Sequence, residues 1–133
     1  MVNEVKEKIE SFTDLHAWQE SHKLVVATYQ LAKLFPSRET FGLVSQMQRA
    51  AVSITSNIAE GFSRSSFTEK ERFYYIAKGS LTELQNQLLV ARDVGYITPV
   101  QFDEIAALSK TAHSLLIGLI RATKSHNYKR TKK

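Results

Sequence analysis

No cysteine occurs in the 133 residues, so disulfides, thiolate catalysis, zinc fingers and iron–sulfur clusters are excluded at the outset. Proline appears twice and glycine five times, which separates the chain from low-complexity linkers. No apolar run approaches the roughly eighteen residues of a membrane span; the densest, Leu115 to Ile120, is short and includes Gly118. Near the N-terminus, Glu4, Lys6, Glu7, Lys8 and Glu10 stand where a signal peptide is apolar. The expectation is a soluble, cytoplasmic protein with no membrane partner.

Compact catalytic and metal motifs are also missing. No Glu is followed three residues later by His, as a di-metal helical bundle requires, and there is no His-Glu-x-x-His. P-loop, Gly-x-Gly-x-x-Gly and Gly-x-Ser-x-Gly patterns are absent too. Four histidines remain. His16 and Glu20 share a helix face as an ordinary polar pair, His22 lies on an apolar stripe, His113 sits beside Ala112, and His126 falls in the tail. No metal, cofactor or catalytic residue is expected.

Charge of one sign is missing from the C-terminal end. Residues 121–133 carry Arg121, Lys124, Lys129, Arg130, Lys132 and Lys133 and no carboxylate. The preceding 120 residues hold the other twelve cations against thirteen acids, so the net +5 belongs to one end of the chain. That end either contacts phosphates or serves as a solubilising tail.

What is present is ordinary core material: 43% hydrophobic residues, enough for one domain of this length. Its periodicity is helical four times over. A first helix is predicted from about Asp14, capped by Thr13, to Phe35 before Pro36. Its stripe is Leu15, Trp18, His22, Val25, Tyr29 and Ala32, widened by Leu24, Leu31 and Phe35. A second runs from about Arg38, capped by Ser37, to about Ser63, with Val44, Met47, Ala51, Ile54, Ile58 and Phe62 apolar and Gly61 marking fraying or a C-terminal turn. A third starts with a Thr68–Glu71 capping box and keeps Phe73, Ile76, Ala77, Leu81, Leu84, Leu88, Ala91 and Val94 on one face until Gly95. In the fourth, Thr98, Pro99 and Gln101 form the start, and Phe102, Ile105, Leu108, Ala112, Leu115, Leu116, Leu119 and Ile120 lead to about Lys124.

Helices of roughly 22 to 27 residues, about 33–40 Å long, joined by short loops predict an all-α, antiparallel up-down-up-down four-helix bundle. The bundle spans residues 13–124, between an N-terminal segment of 1–12 and a basic tail of 125–133.

Two surface patterns stand out. On the second helix Gln46, Arg49, Ser53, Asn57, Glu60 and Arg64 share a face beside the small residues Ala50, Ala51, Ser53, Ser56 and Ala59. This line takes partners from the third helix, faces another subunit, or is solvated; Ala51, Ser53, Asn57, Ala59 and Glu60 are the interface candidates. The third helix sets Arg72 and Lys78 near Tyr74 and Tyr75, a mixture that suits either single-stranded nucleic acid or a half-wet bundle edge.

The run Ser45-Gln46-Met47-Gln48-Arg49-Ala50-Ala51-Val52-Ser53-Ile54, followed by Ser56-Asn57-Ile58-Ala59-Glu60-Gly61-Phe62, resembles the signature of the bacterial four-helix bundle family of 23S ribosomal RNA intervening-sequence proteins, also called S23 ribosomal proteins. Leu15, Trp18-Gln19, Phe35-Pro36 with Glu39, Arg72-Phe73, Ile76-Ala77, Gly79-Ser80-Leu81, Glu83-Leu84 and Gln87-Leu88 extend the likeness over about residues 13–123. The resemblance implies an antiparallel bundle assembled as a homopentamer. It also reaches the accessory proteins of diversity-generating retroelements, basic bundles that bind nucleic acid and a reverse transcriptase. With the cationic end, it leads to the expectation of a non-enzymatic oligomer binding RNA or DNA through phosphates. Arg121, Lys124, Lys129, Arg130, Lys132 and Lys133 are the first candidates, and Arg49, Arg64, Arg72 and Lys78 the second. The alternative is a protein-interaction scaffold whose tail aids solubility.

Overall fold

A computed structural model describes residues 8–131, with side chains through Lys129. Within them are four helices: α1 His16–Ala32, α2 Leu43–Ser63, α3 Phe67–Asp93 and α4 Pro99–Thr131. Each helix packs on its two neighbours in a closed square, α1 on α2, α2 on α3, α3 on α4 and α4 on α1, with no diagonal pair among the described residues. Contacts at opposite ends fix the directions: Phe67 meets His126 while Gln85 meets Ser109, so α3 and α4 are antiparallel. The fold is the expected four-helix bundle. The α1–α2 and α3–α4 connections lie at one end, the upper end; the α2–α3 turn, the start of α1 and the end of α4 lie at the lower end.

Local chemistry explains where the helices begin, and three starts differ from expectation. Thr13 does not cap α1. Ser11 and Asp14 form a capping box around a 3₁₀ turn, Phe12–Asp14, and α1 follows at His16 with no side-chain cap. The Asp14 carboxylate accepts the Glu10 and Ser11 N–H groups at 2.9 and 3.0 Å, bonds that hold its pKa below the usual range. After Pro36 a second 3₁₀ turn, Ser37–Glu39, delays α2 to Leu43, so Ser37 does not cap it. Instead the Glu39 carboxylate accepts the Tyr96 hydroxyl at 2.8 Å and faces the Leu43 N–H at 3.4 Å, tying the two upper loops together. In α3 the cap is Ser66, whose Oγ accepts the Glu69 N–H at 3.1 Å. Thr68 therefore lies inside the first turn.

Two other termini match their sequence signals. Gly95 adopts φ +83°, and the Tyr96 N–H bonds the Ala91 carbonyl at 2.9 Å to close α3. Thr98 and Gln101 exchange side-chain to backbone bonds of 2.8 and 3.1 Å to open α4.

The predicted stop near Lys124 is corrected: α4 continues through Thr131, 33 residues and about 50 Å in all. His126 stacks on Phe67 at 5.6 Å, and Asn127 donates to Thr68 at 3.2 Å, so this last stretch docks on the start of α3. By length and composition α4 also reaches what a membrane-crossing helix needs, which the sequence reading did not expect. Its buried residues Ile105, Ala112, Leu116 and Ile120 join the bundle core.

That core is built on Leu24, Met47, Ile54, Ile58, Leu81, Leu84, Leu88 and Leu116, all essentially inaccessible to solvent. On α1 the buried residues are Ala17, Ser21, Leu24, Val25, Thr28, Leu31 and Ala32, which keeps the predicted Leu24, Val25, Leu31 and Ala32 and adds Ala17, Ser21 and Thr28. Trp18 falls at their edge, while His22 and Tyr29 are exposed. Of the expected N-terminal segment 1–12, residues 1–7 lie outside the described residues.

Candidate nucleic-acid interface

The α2 polar line resolves into a seam with α3. Ser53 and Ser80 share a hydroxyl–hydroxyl bond of 2.8 Å, and the Asn57 amide donates to the Ser53 carbonyl at 2.8 Å and to its Oγ at 3.1 Å. One turn on, Gly61 lies in the C-terminal turn of α2, as one of its two readings expected, and is buried under the Tyr74 ring rather than frayed. Lys70 reaches back from α3 to donate to the Phe62 carbonyl at 2.6 Å, closing the C-terminus of α2. Partial burial lowers the Lys70 pKa.

This seam changes the roles expected for several residues. Ala51, an interface candidate, is completely buried inside the protomer and cannot touch a partner. Ser53 and Asn57 are half-buried in the seam. Ala59 and Glu60 remain accessible, beside a shallow hollow of about 370 Å³ shared with Phe12, Ser56 and Ser63. Arg64 is engaged by Glu60 at 3.3 Å and lies over the Phe73 ring at 4.6 Å. Arg49 is exposed on α2, diagonally across the bundle from α4.

Two of the remaining cations, Lys78 and Lys124, meet where α3 packs on α4. Tyr75 is 41% exposed, with Lys78 Nζ 6.0 Å and Lys124 Nζ 4.9 Å from its ring centre. Helical spacing sets Arg72 and Lys78 three residues to either side of Tyr75 on α3. On α4 it aligns Arg121, Lys124 and Tyr128 along one stripe. Arg72, Arg121 and Lys124 are exposed, as is Tyr128 at 61%. Hydrogen bonding to the Tyr75 phenol, then the charge of nearby Glu71, hold the Lys124 ammonium above its ordinary pKa. Lys129 follows on the same helix, exposed; the side chain of Arg130 and all of Lys132 and Lys133 lie outside the described residues.

Tyr74, paired with Tyr75 in the sequence reading, is not part of this surface. It is 2% exposed in the core, and burial pushes its phenol up to about 12. Spacing named Arg72 and Lys78, and the cation-rich C-terminal end named Lys124, but neither signal gave the meeting of Lys78 and Lys124 at Tyr75 across two helices. The Arg72-x-x-Tyr75-x-x-Lys78 ladder was the available signal, obscured by the adjacent tyrosine.

The histidines depart in part from their sequence readings: His22 is exposed beside the buried stripe, and His126 belongs to α4 rather than to a tail. His22 stacks on Trp18 at 4.7 Å and His126 on Phe67, while Glu20 pairs with Lys23 at 2.9 Å. Among the described residues no three His, Asp or Glu side chains come together to hold a metal ion.

The upper end is different in kind. Phe41, in the α1–α2 loop, is 96% exposed, and Leu34, Val94 and Val100 are each more than half exposed. Beside them, Ala27, Leu31, Leu34, Ile105 and Leu108 line an apolar groove of about 280 Å³ between α1 and α4. None of these was singled out as a surface feature from the sequence.

The sequence pattern of the 23S rRNA-intervening sequence proteins matches residues 13–118. Among solved structures, the chain is similar to a protein of unknown function from the S23 ribosomal protein family of Bacteroides thetaiotaomicron. The two are 26% identical with a TM-score of 0.73 over 78% of this chain and 97% of that one. No curated protein matches.

Proposed function

The chain belongs to the family of 23S rRNA-intervening sequence proteins, and on that premise we propose that it is a non-enzymatic, self-associating bundle of the cytoplasm that holds RNA or DNA through phosphate contacts. The observation that carries the reading is the convergence of Lys78 and Lys124, from two helices, on the exposed ring of Tyr75. Arg72 and Arg121 extend the cationic surface along those helices, and α4 leads on to Lys129 and the basic residues that follow. Such a surface attracts phosphates by charge and releases their counterions, without reading sequence. In an oligomer, several copies of it act on one ligand at raised effective concentration.

A salt titration tests the reading. Changing Arg72, Lys78, Arg121 and Lys124 together to Gln lowers the slope of log affinity against log salt by about 3.6 for a duplex, at roughly 0.9 per phosphate. An unchanged slope removes this face from the account.

The scaffold reading has its own support in the upper end, where Phe41, Leu34, Val94 and Val100 present apolar surface. It predicts a protein partner retained at salt concentrations that strip nucleic acid away. Purification from native cells at low and high salt separates the two readings by what co-elutes.

A further inference from the structure

The proposed phosphate contacts need only cations, so the aromatic ring at the centre of the patch calls for a separate explanation. Adjacent tyrosines on α3 have opposite fates: Tyr74 is spent in the core, and Tyr75 is left at the surface among Arg72, Lys78 and Lys124. A ring in that position has little to do against a duplex, whose base faces are covered by their neighbours. Against a single strand it offers a stacking platform, because every unpaired base exposes a π-face.

We propose that Tyr75, flanked by Lys78 and Lys124, seats one unpaired base, so that the protein prefers single-stranded to duplex nucleic acid. The inference rests on the phosphate-binding reading and adds the ligand's strandedness. In the free protein the two ammonium groups lie over the ring, as cation–π contacts that are weak at an exposed site. An arriving strand supplies phosphates that compete for those ammoniums. As the flexible lysine side chains swing onto the backbone, the ring face opens to the base between them. Arg72 and Lys78 stand about 4.5 Å along the helix axis on either side of Tyr75, so cations bracket the stacked base in both chain directions. Glu71, whose charge reaches Lys124, opposes anion approach on this face.

Fluorescence anisotropy with a labelled 20-nucleotide oligo-dT and a labelled 20-base-pair duplex tests this, using the full chain at low salt. Wild type binds oligo-dT more tightly than duplex. Tyr75→Leu weakens oligo-dT binding by about 5- to 100-fold and leaves duplex binding within about twofold, while Tyr75→Phe behaves as wild type. Thermal melts confirm that each variant is folded. Equal binding of both probes with no effect of Tyr75→Leu overturns the stacking inference and leaves phosphate binding standing. Equal loss on both probes makes Tyr75 a mere positioner of the lysines and overturns it as well. Failure of wild type to bind either probe overturns both readings.

Discussion

The Tyr74 ring lies directly against the α carbon of Gly61: a methyl placed on Gly61 meets the ring carbon Cε1 at 2.6 Å and Cδ1 at 2.9 Å. Gly61 ends the Asn57-Ile58-Ala59-Glu60-Gly61 run by which the family resemblance is recognised. Within that segment Ser53 bonds Ser80, Asn57 bonds Ser53, and Gly61 admits Tyr74. The recognisable signature is thus the packing code of the α2–α3 seam. It identifies a way of closing two helices together.

The seam gives a pair of opposed glycine predictions. Gly61→Ala forces the buried Tyr74 ring to move, and the overpacking costs about 1–3 kcal/mol even though alanine suits a helix better. Gly79→Ala, within α3, meets nothing within 4 Å and stabilises by about 0.5–1 kcal/mol. Urea denaturation of the two variants reads both effects. A stable Gly61→Ala protein sinks the close-approach account.

Burial of Tyr74 also sets an alkaline limit. Its phenol titrates at about 12 when folded, against about 10 when exposed. Between those values the unfolded chain releases the proton and the folded chain keeps it, so unfolding becomes easier as pH rises. The resulting contribution to stability is intact below about pH 10 and declines by on the order of 2 kcal/mol on the way to 12. Tyr74→Phe removes this decline. Denaturation midpoints of both proteins at pH 9 and 11 provide the comparison, and parallel midpoints disprove the assignment.

Much of the bundle was legible because its long apolar stripes and its Gly95 and Thr98–Gln101 stop and start signals agree with one another. The errors have specific physical origins. On α1, Leu24, Val25, Leu31 and Ala32 are buried as predicted, but Ser21 and Thr28, both fully buried, read as polar in any hydrophobic pattern. Thr28 returns its hydroxyl to the Leu24 carbonyl at 2.8 Å, and Thr123 does the same to Leu119, which lets each enter the core with its hydrogen bond made. Ala51 suits both the apolar stripe and a subunit contact because a small residue fits any close helix approach; only the completed bundle shows that it lies in the core of its own protomer. Tyr75 meets Lys124 across 49 positions of sequence, a contact that no local spacing encodes.

Two hydroxyls competed to cap α3, and they make a direct test. Ser66 Oγ accepts the Glu69 N–H, whereas Thr68 Oγ1 receives the Asn127 amide at the surface. Ser66→Ala therefore costs about 1 kcal/mol of stability. Thr68→Ala stays within about 0.5 kcal/mol of wild type, as an exposed substitution. Reversal of that order in thermal or urea melts restores the Thr68–Glu71 box.

The end of α4 is where a structural element and a solubilising tail make different predictions. If residues after Lys124 served only to keep the protein in solution, removing them would leave the unfolding midpoint unchanged at low protein concentration. The helix instead carries His126 onto the Phe67 ring and Asn127 onto Thr68, and both contacts brace the first turn of α3. An aromatic pair contributes about 0.5–1.5 kcal/mol beyond area burial, and an exposed hydrogen bond adds a fraction of that. Truncation after Lys124 thus lowers stability by about 1–2 kcal/mol. His126→Ala alone reproduces most of the loss while leaving every cation in place, so it separates the packing contribution from any effect of charge. An unchanged midpoint in the point variant, with a lowered one in the truncation, would assign the stabilisation to the other residues of the last turns.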